Sequence, residues 1–522
     1  MWKSSEISAL IDGTLFGPKD NTFKECVIDS RQVSPGSLFL AIPGANTDGH
    51  VFIRQAWEAG ASIVIASQEG YKNHFCAHIG VLTDKDVSFT VPPGKVLILV
   101  PETTGALRKL AYIWLNELDA LVVAVTGSNG KTTTKDMIEA VLSTKFQVHK
   151  SPENFNTEIG LPLSILCAPR GTEVLVLEMG MRGPGQITQL CQICRPDIGV
   201  ITNIGNTHIE MLGSQEAISQ AKWELIVSLP VEGMAILNCE DSETAAMSQL
   251  RGMRCQKVFF GRESRYGDPQ VRGCDVEAYR ETGTRFKVEC AMAGARKVWR
   301  GACDHNQGSV CDRSLFTADP LPAGVMSVVE GPVVVELSLP GTHNVINALA
   351  ALAVGCVLNV PLQEGAQGLK GLSLSKMRLE FTAGIGGATV INDAYNANPA
   401  SMKASLEILR ERAHGVTIAV LGDMFELGQL ALSQHLVVGA EVASLGITYL
   451  VTVGALAEQI AQGALENGLA ADHIFHCQSH EEAAGRTLEL IRQEGPGSWV
   501  LVKGSRGMEM EKISCRLIHR KE

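Results

Sequence analysis

The residues of this chain with the clearest chemistry form one glycine-rich segment, Val125–Thr134 (V-T-G-S-N-G-K-T-T-T). It follows an apolar run typical of a buried strand and precedes a predicted helix. In such a turn backbone N–H groups can surround phosphate oxygens, a lysine such as Lys131 can reach the outer phosphates, and a hydroxyl such as that of Thr132 can bind Mg²⁺. The segment departs from the standard P-loop, because Val125 stands where that motif has its first glycine. We predict a triphosphate-binding loop, with an ordinary glycine-rich turn as the alternative. The predicted binding residues are Thr126, Gly127, Ser128, Asn129, Gly130, Lys131, Thr132 and Thr133.

Two further polar side chains follow predicted strands. Glu178 lies at the C-terminal end of the predicted strand 173–177, and His208 ends the segment Ile201–His208 (I-T-N-I-G-N-T-H). The carboxyl ends of parallel strands meet at one edge of a sheet, which is also where a phosphate loop lies. We therefore predict that Glu178 and His208 bind Mg²⁺ or face the phosphates. Without the nearby loop, the segment before His208 would indicate only a turn.

The elements around these residues predict an α/β protein of three domains. Residues 1–100 predict a small α/β domain, residues 101–374 a central P-loop ATPase-like domain with a mostly parallel sheet, and residues 375–522 a doubly wound, Rossmann-like domain. Within the central domain, residues 255–340 predict antiparallel strands with a surface insertion near 293–331. Predicted strands elsewhere are 26–28, 38–42, 62–66, 96–100, 120–125, 173–177, 198–201, 235–237, 389–391, 417–421, 449–453 and 498–502. Predicted helices include 51–60, 107–118, 136–142, 400–412, 431–445, 455–468 and 480–494.

Composition limits the functional classes that remain. Of the 522 residues, 45% are hydrophobic and 19% are charged, which is typical of a globular protein. The net charge of −11 argues against a general nucleic-acid binder or a binder of anionic membranes. The sequence contains neither 18 uninterrupted apolar residues nor an apolar signal core, so we expect a cytoplasmic protein without membrane insertion. Cys191 and Cys194 form a lone C-x-x-C pair, for which reduced structural thiols are favoured over zinc.

Several further segments carry a resemblance to a known family. They are Asn154–Pro162 (N-F-N-T-E-I-G-L-P), Glu178–Gly180 (E-M-G), Asn392–Met402 (N-D-A-Y-N-A-N-P-A-S-M), Leu421–Gly428 (L-G-D-M-F-E-L-G) and Val502–Arg506 (V-K-G-S-R). With the T-G-x-x-G-K-T-T loop, they make nearly the whole chain resemble the Mur ligase family, ATP-dependent enzymes that form amide bonds in peptidoglycan precursors. The sequence lacks the D-N-P-type motif expected of the ligase that adds diaminopimelate or lysine.

The resemblance implies a reaction and its participants. The expected activity is ATP-dependent ligation of D-alanyl-D-alanine to UDP-N-acetylmuramoyl-tripeptide through an acyl-phosphate intermediate. The expected cofactors are two Mg²⁺ ions, and the expected oligomeric state is a monomer. Two alternatives stay open: another amino-acid ligase of the superfamily, tripeptide-forming or folylpolyglutamate-type, and a P-loop switch that hydrolyses ATP without forming a bond.

The resemblance also implies roles for individual residues. The catalytic set is Lys131, Glu178, His208 and Lys222, and the metal ligands are Thr132, Glu178, His208 and Lys222, the last as a carbamate. A surface lysine is the ordinary expectation at position 222. The UDP-sugar set is Ser30, Arg31, Thr47, Asp48, Gly49, His50, Asn156 and Thr157. Further ATP contacts are Asn344, Asn347, Arg378, Asp393 and Asp423, and the dipeptide set is Asn396, Asn398, Ser401, Lys503 and Arg506. His435, Glu240 and Asp241 are left without a role.

Overall fold

The computed structural model contains two compact units. One comprises Met1–Val123, Gln147–Gly180 and Thr188–Pro196, and the other comprises Ala124–Phe146, Met181–Ile187 and Asp197–Glu522. The described residues are 2–44, 47–75, 91–152, 155–205, 209–249, 252–280, 282–292, 328–372 and 376–518. His208 and residues 293–327 of the predicted insertion therefore lie outside the described residues. Across the described ranges, no helix is both long enough and apolar enough to cross a bilayer.

The first unit contains a five-stranded sheet. Its strands are β1 (Thr14–Phe16), β2 (Cys26–Val27), β3 (Leu38–Leu40), β4 (Ile63–Ser67) and β5 (Val96–Val100). They follow the order β1-β5-β4-β3-β2, with β1 antiparallel to β5 and the other neighbours parallel. Helices α1 (Ser4–Leu10), α2 (Ile53–Glu58) and α3 (Gln68–Phe75) belong to this unit. The strands β2 to β5 are short apolar runs in the sequence and were predicted, whereas the partly exposed β1 was not.

The strand that leads into the glycine-rich loop, β6 (Leu121–Thr126), passes from the first unit into the second. In the first unit Leu121 N donates to Glu173 O at the start of β8 (Val174–Glu178), which pairs in parallel with β7 (Val148–Lys150). The strands of the second unit that follow β6 along the chain are β9 (Ile198–Ile201), β10 (Met234–Asn238), β11 (Gln256–Gly261), β12 (Val271–Tyr279), β13 (Gly283–Met292) and β14 (Val328–Leu337).

These strands change direction along the second unit's part of the sheet. Strands β9 to β12 pair in parallel, and β12, β13 and β14 pair antiparallel. The prediction of antiparallel strands over residues 255–340 is confirmed for β12 to β14 and is wrong for β11, which is parallel to both of its neighbours. Because β14 begins at Val328, the last four residues of the predicted insertion belong to a strand. The helices up to this point are α4 (Thr103–Leu118), α5 (Lys131–Leu142), α6 (Gly160–Leu166), α7 (Gln186–Cys194), α8 (Ile209–Leu212), α9 (Gln215–Val227), α10 (Ser242–Met247), α11 (Thr342–Val357) and α12 (Leu362–Lys370).

The C-terminal part of the second unit is a doubly wound sheet. Its strands are β15 (Glu380–Ala383), β16 (Thr389–Asn392), β17 (Thr417–Gly422), β18 (Tyr449–Val453), β19 (Ile474–Cys477) and β20 (Trp499–Lys503), in the order β15-β16-β20-β17-β18-β19. Only β15 is antiparallel to its neighbour among these described pairs. The helices are α13 (Pro399–Arg412), α14 (Ala431–Ser444), α15 (Glu458–Glu466), α16 (His480–Glu494) and α17 (Glu511–Leu517). Successive residues of β17 pack into two different apolar cores. Ala419 and Leu421 belong to one core, and Ile418 and Val420 belong to the other. Both faces of the sheet are therefore buried, which confirms the predicted Rossmann-like class.

Helices α14 and α15 approach each other closely because each contributes a glycine. A Cβ atom added at Gly439 would lie 2.1 Å from Ile460 O, and one added at Gly463 would lie 2.2 Å from Leu436 O. Both obstacles are backbone atoms of the facing helix, which cannot move aside as the end of a side chain can. Any larger residue would force the two helices apart.

We expect Gly439→Ala to lower the free energy of unfolding by about 1–3 kcal/mol, because the overpacked helices must separate. The matched control is Gly485→Ala in α16, where an added Cβ meets no atom within 4 Å. Since alanine favours a helix interior, that variant should be stabilised by roughly 0.5–1 kcal/mol. Thermal and urea unfolding of both variants measures the difference. Equal effects would contradict the tight crossing.

Candidate nucleotide-binding site

The loop between β6 and α5 contains two glycines that have no room for a side chain. A Cβ atom at Gly127, where φ is +152°, would lie 1.9 Å from the hydroxyl oxygen of Thr202. One at Gly130, where φ is +78°, would lie 2.5 Å from Asn347 Oδ1. The first intrahelical hydrogen bond of α5 runs from Thr134 N to Gly130 O. The N–H groups of residues 131–133 thus precede the helical ladder and can bind an anion.

The segment that follows β9 holds the loop in shape. Asn203 Oδ1 accepts a hydrogen bond from Asn129 N at 2.9 Å, and Asn203 Nδ2 donates to Asn129 O at 3.0 Å. Thr202 Oγ1 donates to the same carbonyl at 2.6 Å. Ser128 Oγ accepts from Gly205 N at 2.8 Å and lies 3.0 Å from Gly205 O. Sequence reasoning singled out only His208 from this segment, although its run of Asn and Thr side chains was the available signal.

Two lysines belong to the predicted catalytic set at this loop, and their surroundings differ. Lys131 Nζ donates to Gly127 O at 2.8 Å and to Ser128 O at 3.3 Å. Lys222 is not a surface residue: it is only 2% exposed, within α9. Burial, followed by the charge of Lys131, holds the pKa of Lys222 well below its ordinary value. A lowered pKa favours the neutral amine, which is the form that reacts with CO₂.

Two residues from the C-terminal part of the same unit reach the loop. Arg378 Nη2 donates to Thr132 Oγ1 at 2.8 Å, which places a guanidinium beside the hydroxyl predicted to bind Mg²⁺. Asn398 Nδ2 donates to Asn129 Oδ1 at 2.6 Å. Asn398 was predicted to bind a dipeptide, and its amide here contacts the phosphate loop. Its Oδ1 accepts from Ser401 N at 2.9 Å in a capping box that begins α13.

The other predicted ATP contacts are buried side chains that form hydrogen bonds within the protein. Asn344 Nδ2 donates to Pro340 O at 2.7 Å, and Asn347 Oδ1 accepts from Thr134 Oγ1 at 3.2 Å, so the start of α11 is joined to α5. Asp423 Oδ1 accepts from Ala457 N at 2.7 Å, and burial raises the pKa of its carboxyl group.

The predicted dipeptide residue Lys503 is 3% exposed and forms an ion pair with Asp393. Its ammonium also donates to Asn396 O at 3.2 Å, so it holds the turn that follows β16. Asn396 and Arg506 are the exposed members of the predicted dipeptide set. Arg506 is 50% exposed and donates to Glu511 at 2.7 Å.

His435 and Asp241, for which sequence reasoning found no role, hold turns in place. His435 is fully buried, where its Nε2 accepts from Met424 N at 2.9 Å and its Nδ1 lies 2.6 Å from Ala431 O. It thereby fixes the turn after β17. Asp241 caps α10 and also accepts from Ile204 N at 3.0 Å, in the segment that supports the phosphate loop. Glu240 accepts a hydrogen bond from Arg262 N.

In the first unit, Glu178 and Asn156 lie together. Glu178 ends β8 with 3% of its surface exposed, and its Oε1 accepts from Asn156 Nδ2 at 3.0 Å. Asn156 O in turn accepts from Gly180 N at 2.9 Å. Thr157 is exposed three residues before α6, and its Oγ1 accepts a hydrogen bond from Gly160 N, the first residue of that helix, at 3.3 Å. The predicted metal ligand is thus oriented by a residue of the predicted UDP-sugar set.

The remaining UDP-sugar candidates form a network around Asp48. Its carboxylate contacts Nδ1 of the buried His50 at 2.6 Å and Nε2 of His74 at 3.0 Å. Burial alone would raise the pKa of Asp48, but hydrogen bonds from His50 and His74 lower it to about 2. A Cβ atom at Gly49 would lie 2.7 Å from backbone atoms of Ile42.

The other three members of this set differ in exposure. Ser30 is buried and its Oγ donates to Gln55 at 3.2 Å, whereas Thr47 is exposed. Arg31 is 83% exposed and pairs with Asp29 at 2.7 Å. An exposed guanidinium of this kind can bind phosphate in two-point fashion.

No group of three or more His, Cys, Asp or Glu side chains suited to a metal ion occurs within the described ranges. Cys191 and Cys194 are buried in α7, and Cys191 Sγ lies 3.9 Å from Met179 Sδ.

Comparison with known proteins identifies the class. Models of the Mur ligase family catalytic domain, the Mur ligase middle domain and the Mur ligase glutamate ligase domain match residues 22–111, 125–355 and 377–506. One enzyme of Bacillus subtilis is 36% identical over 520 residues, which cover 98% of this chain and 97% of that enzyme. The chain therefore belongs to the Mur ligase family, and the resemblance found in the sequence is confirmed. The Bacillus subtilis enzyme is UDP-N-acetylmuramoyl-tripeptide–D-alanyl-D-alanine ligase.

Solved structures agree with the three-domain architecture. A crystal structure of MurF from Acinetobacter baumannii has a TM-score of 0.76 at 26% identity, covering 98% of both chains. The MurF ligase of Thermotoga maritima, solved in complex with ADP, has a TM-score of 0.71 at 27% identity, covering 96% of this chain and 98% of that one.

The support that Asn203 gives to the loop leads to a binding prediction. Asn203→Ala removes two hydrogen bonds to Asn129, so we expect the affinity for ATP to fall by about tenfold. Isothermal titration with a non-hydrolysable ATP analogue measures it. As a control, Asn467→Ala removes a side-chain bond at the end of α15 and should leave the affinity unchanged. Wild-type affinity in Asn203→Ala would contradict the supporting role.

Proposed function

We propose that this chain is the ATP-dependent ligase that joins D-alanyl-D-alanine to UDP-N-acetylmuramoyl-tripeptide in peptidoglycan precursor synthesis. The observation that carries the proposal is the phosphate loop with Lys131 inside it and Arg378 on Thr132. Full-length similarity to the Bacillus subtilis enzyme supports this substrate pair over those of other ligases in the family. The Thermotoga maritima ligase was solved in complex with ADP, which supports the binding of an adenine nucleotide by this chain.

A carboxylate is a poor electrophile, so ATP must activate it. The terminal carboxylate of the tripeptide attacks the γ-phosphorus, ADP leaves, and an acyl phosphate forms. The amine of D-alanyl-D-alanine then attacks the acyl carbon, and inorganic phosphate leaves. Phosphoryl transfer depends mainly on positioning and on charge stabilisation, and Lys131 and Arg378 supply positive charge at the loop.

Each of the proposed oxygen donors is of a type that suits magnesium. The Thr132 hydroxyl and the Glu178 carboxylate, which belong to different units, are both hard oxygen ligands, and proteins commonly bind Mg²⁺ through one or two such groups together with waters and substrate phosphates. We infer that His208 and a carbamylated Lys222 complete the ligand set for two ions. When bound, Mg²⁺ neutralises phosphate charge.

The remaining participants follow from the same proposal. The exposed Arg31 and Thr47 would bind the UDP-sugar, and the exposed Asn396 and Arg506 the dipeptide. The enzyme is proposed to act as a monomer, with the loop, Arg378 and Asn398 in one active site. Because ATP and nucleotide sugars are made in the cytoplasm, we place the reaction there.

The activity is tested with the purified protein, Mg²⁺, ATP, UDP-N-acetylmuramoyl-tripeptide and D-alanyl-D-alanine. We expect phosphate release together with an amide product detected by mass spectrometry. Lys131→Ala should lower ligation by about 100-fold or more, while binding of the UDP-substrate persists. Phosphate release without product would favour a P-loop switch. A product only with single amino acids or glutamate would favour another ligase of the superfamily.

The carbamate has its own test. Lys222→Ala should lose ligation, and formate or acetate should restore part of it by supplying a carboxylate in the vacated space. Lys222→Arg keeps a long nitrogen-containing side chain but cannot form the carbamate, so it should stay inactive with or without these acids. Circular dichroism verifies that both variants are folded. Wild-type activity in Lys222→Arg would contradict the carbamate.

A further inference from the structure

The backbone around Arg378 is strained on both sides. Met377 has φ of +59° and Leu379 has φ of +49°, so two non-glycine residues adopt the left-handed conformation. L-residues rarely adopt this conformation, and it persists only where surrounding contacts impose it. The guanidinium of Arg378 therefore depends on whatever holds residues 377–379.

The turn after β16 supplies these contacts. Tyr395 N donates to Met377 O at 3.2 Å, and Leu379 N donates to Asp393 Oδ1 at 3.2 Å. Asp393 is itself fixed by the ion pair with Lys503 and by a 2.7 Å hydrogen bond from Ser405. One turn thus holds the backbone both before and after Arg378.

The same turn also holds the side chain. The Cζ atom of Arg378 lies 4.0 Å from the centroid of the Tyr395 ring. At the other end, Arg378 Nη2 donates to Thr132 Oγ1 at 2.8 Å. Arg378 Nε is buried and makes no hydrogen bond within the described part of the chain. The ring face is therefore a main constraint on the plane of the guanidinium, and such stacking is a strength of arginine.

We propose that Tyr395 is a positioning residue, whose ring directs the guanidinium of Arg378 to the phosphate end of the loop. The inference rests on the proposed function, because Arg378 has a charge to stabilise only if the loop binds a triphosphate. A guanidinium that is already oriented stabilises developing charge without the cost of reorganising during the reaction. Without the ring, the long side chain would sample other rotamers.

The decisive experiment is a double-mutant cycle on ligation kinetics. Tyr395→Leu removes the ring, and we expect kcat/KM for ATP to fall by about tenfold, the scale of a cation–π contact. Tyr395→Phe keeps the ring and should stay within about threefold of wild type. In an Arg378→Ala background, Tyr395→Leu should have less than about a twofold further effect, because the group it positions is gone.

Two controls keep the outcome interpretable. Tyr266→Leu removes an aromatic residue that is 51% exposed, and its kinetics should match wild type. If Tyr395→Leu is unfolded in a thermal melt, a series of fluorinated phenylalanines at position 395 replaces it, since fluorine weakens the ring's attraction for cations without changing its shape. Activity should then fall stepwise with fluorination.

The possible failures are distinguishable. If the wild-type protein forms no amide product, the proposed function is wrong. If the wild type is active but the ring-removing and ring-keeping variants behave alike, only the role of Tyr395 is wrong. Full additivity in the Arg378→Ala background, or activity independent of fluorination, would also overturn that role.

Discussion

A loop that binds phosphate must hold its N–H groups in fixed directions before the ligand arrives. In this chain, side chains of neighbouring segments hold the glycine-rich loop in its conformation. Thr202 and Asn203 form hydrogen bonds with the backbone of Asn129. The side chain of Asn347 occupies the space that a side chain at position 130 would need. The glycines of the loop are therefore required by their neighbours as well as by backbone conformation. Because packing already holds the loop in one conformation, the loop loses little conformational entropy when it binds a ligand.

The C-terminal sheet contributes to the same site through one short turn. Asp393 and Lys503 are both largely buried, and their charges are tolerated because each is paired and has further hydrogen bonds. That turn fixes the backbone beside Arg378 and carries the tyrosine on which the guanidinium lies. The buried ion pair between Asp393 and Lys503 thus positions the backbone and the side chain of Arg378. An exposed ion pair on the protein surface would not have this effect.

The geometry of the loop and Arg378 suits any ATP-dependent ligase of this family. The choice of UDP-sugar and dipeptide rests instead on full-length relatives and on exposed polar residues such as Arg31 and Asn396. The buried members of the same predicted sets, Ser30 and Lys503, make internal contacts. Burial therefore separates side chains that can meet a substrate from those that shape the surface around it.

The local pattern of apolar and polar residues was enough to predict many of the strands and helices of this protein. Strands Val96–Val100 and Tyr449–Val453 and the helix His480–Glu494 have the bounds predicted, because a continuous apolar run or an amphipathic period is a property of the segment itself. The half-buried outer strands Thr14–Phe16, Glu380–Ala383 and Ile474–Cys477 were missed, since their stability comes from one neighbouring strand. The sequence alone determined the α/β class and the glycine-rich turn between β6 and α5, for which phosphate binding stays a prediction. Only the tertiary structure decided that Lys222 is buried, that Asn203 supports the loop, and that Lys503 pairs with Asp393, because each depends on residues far away in the chain.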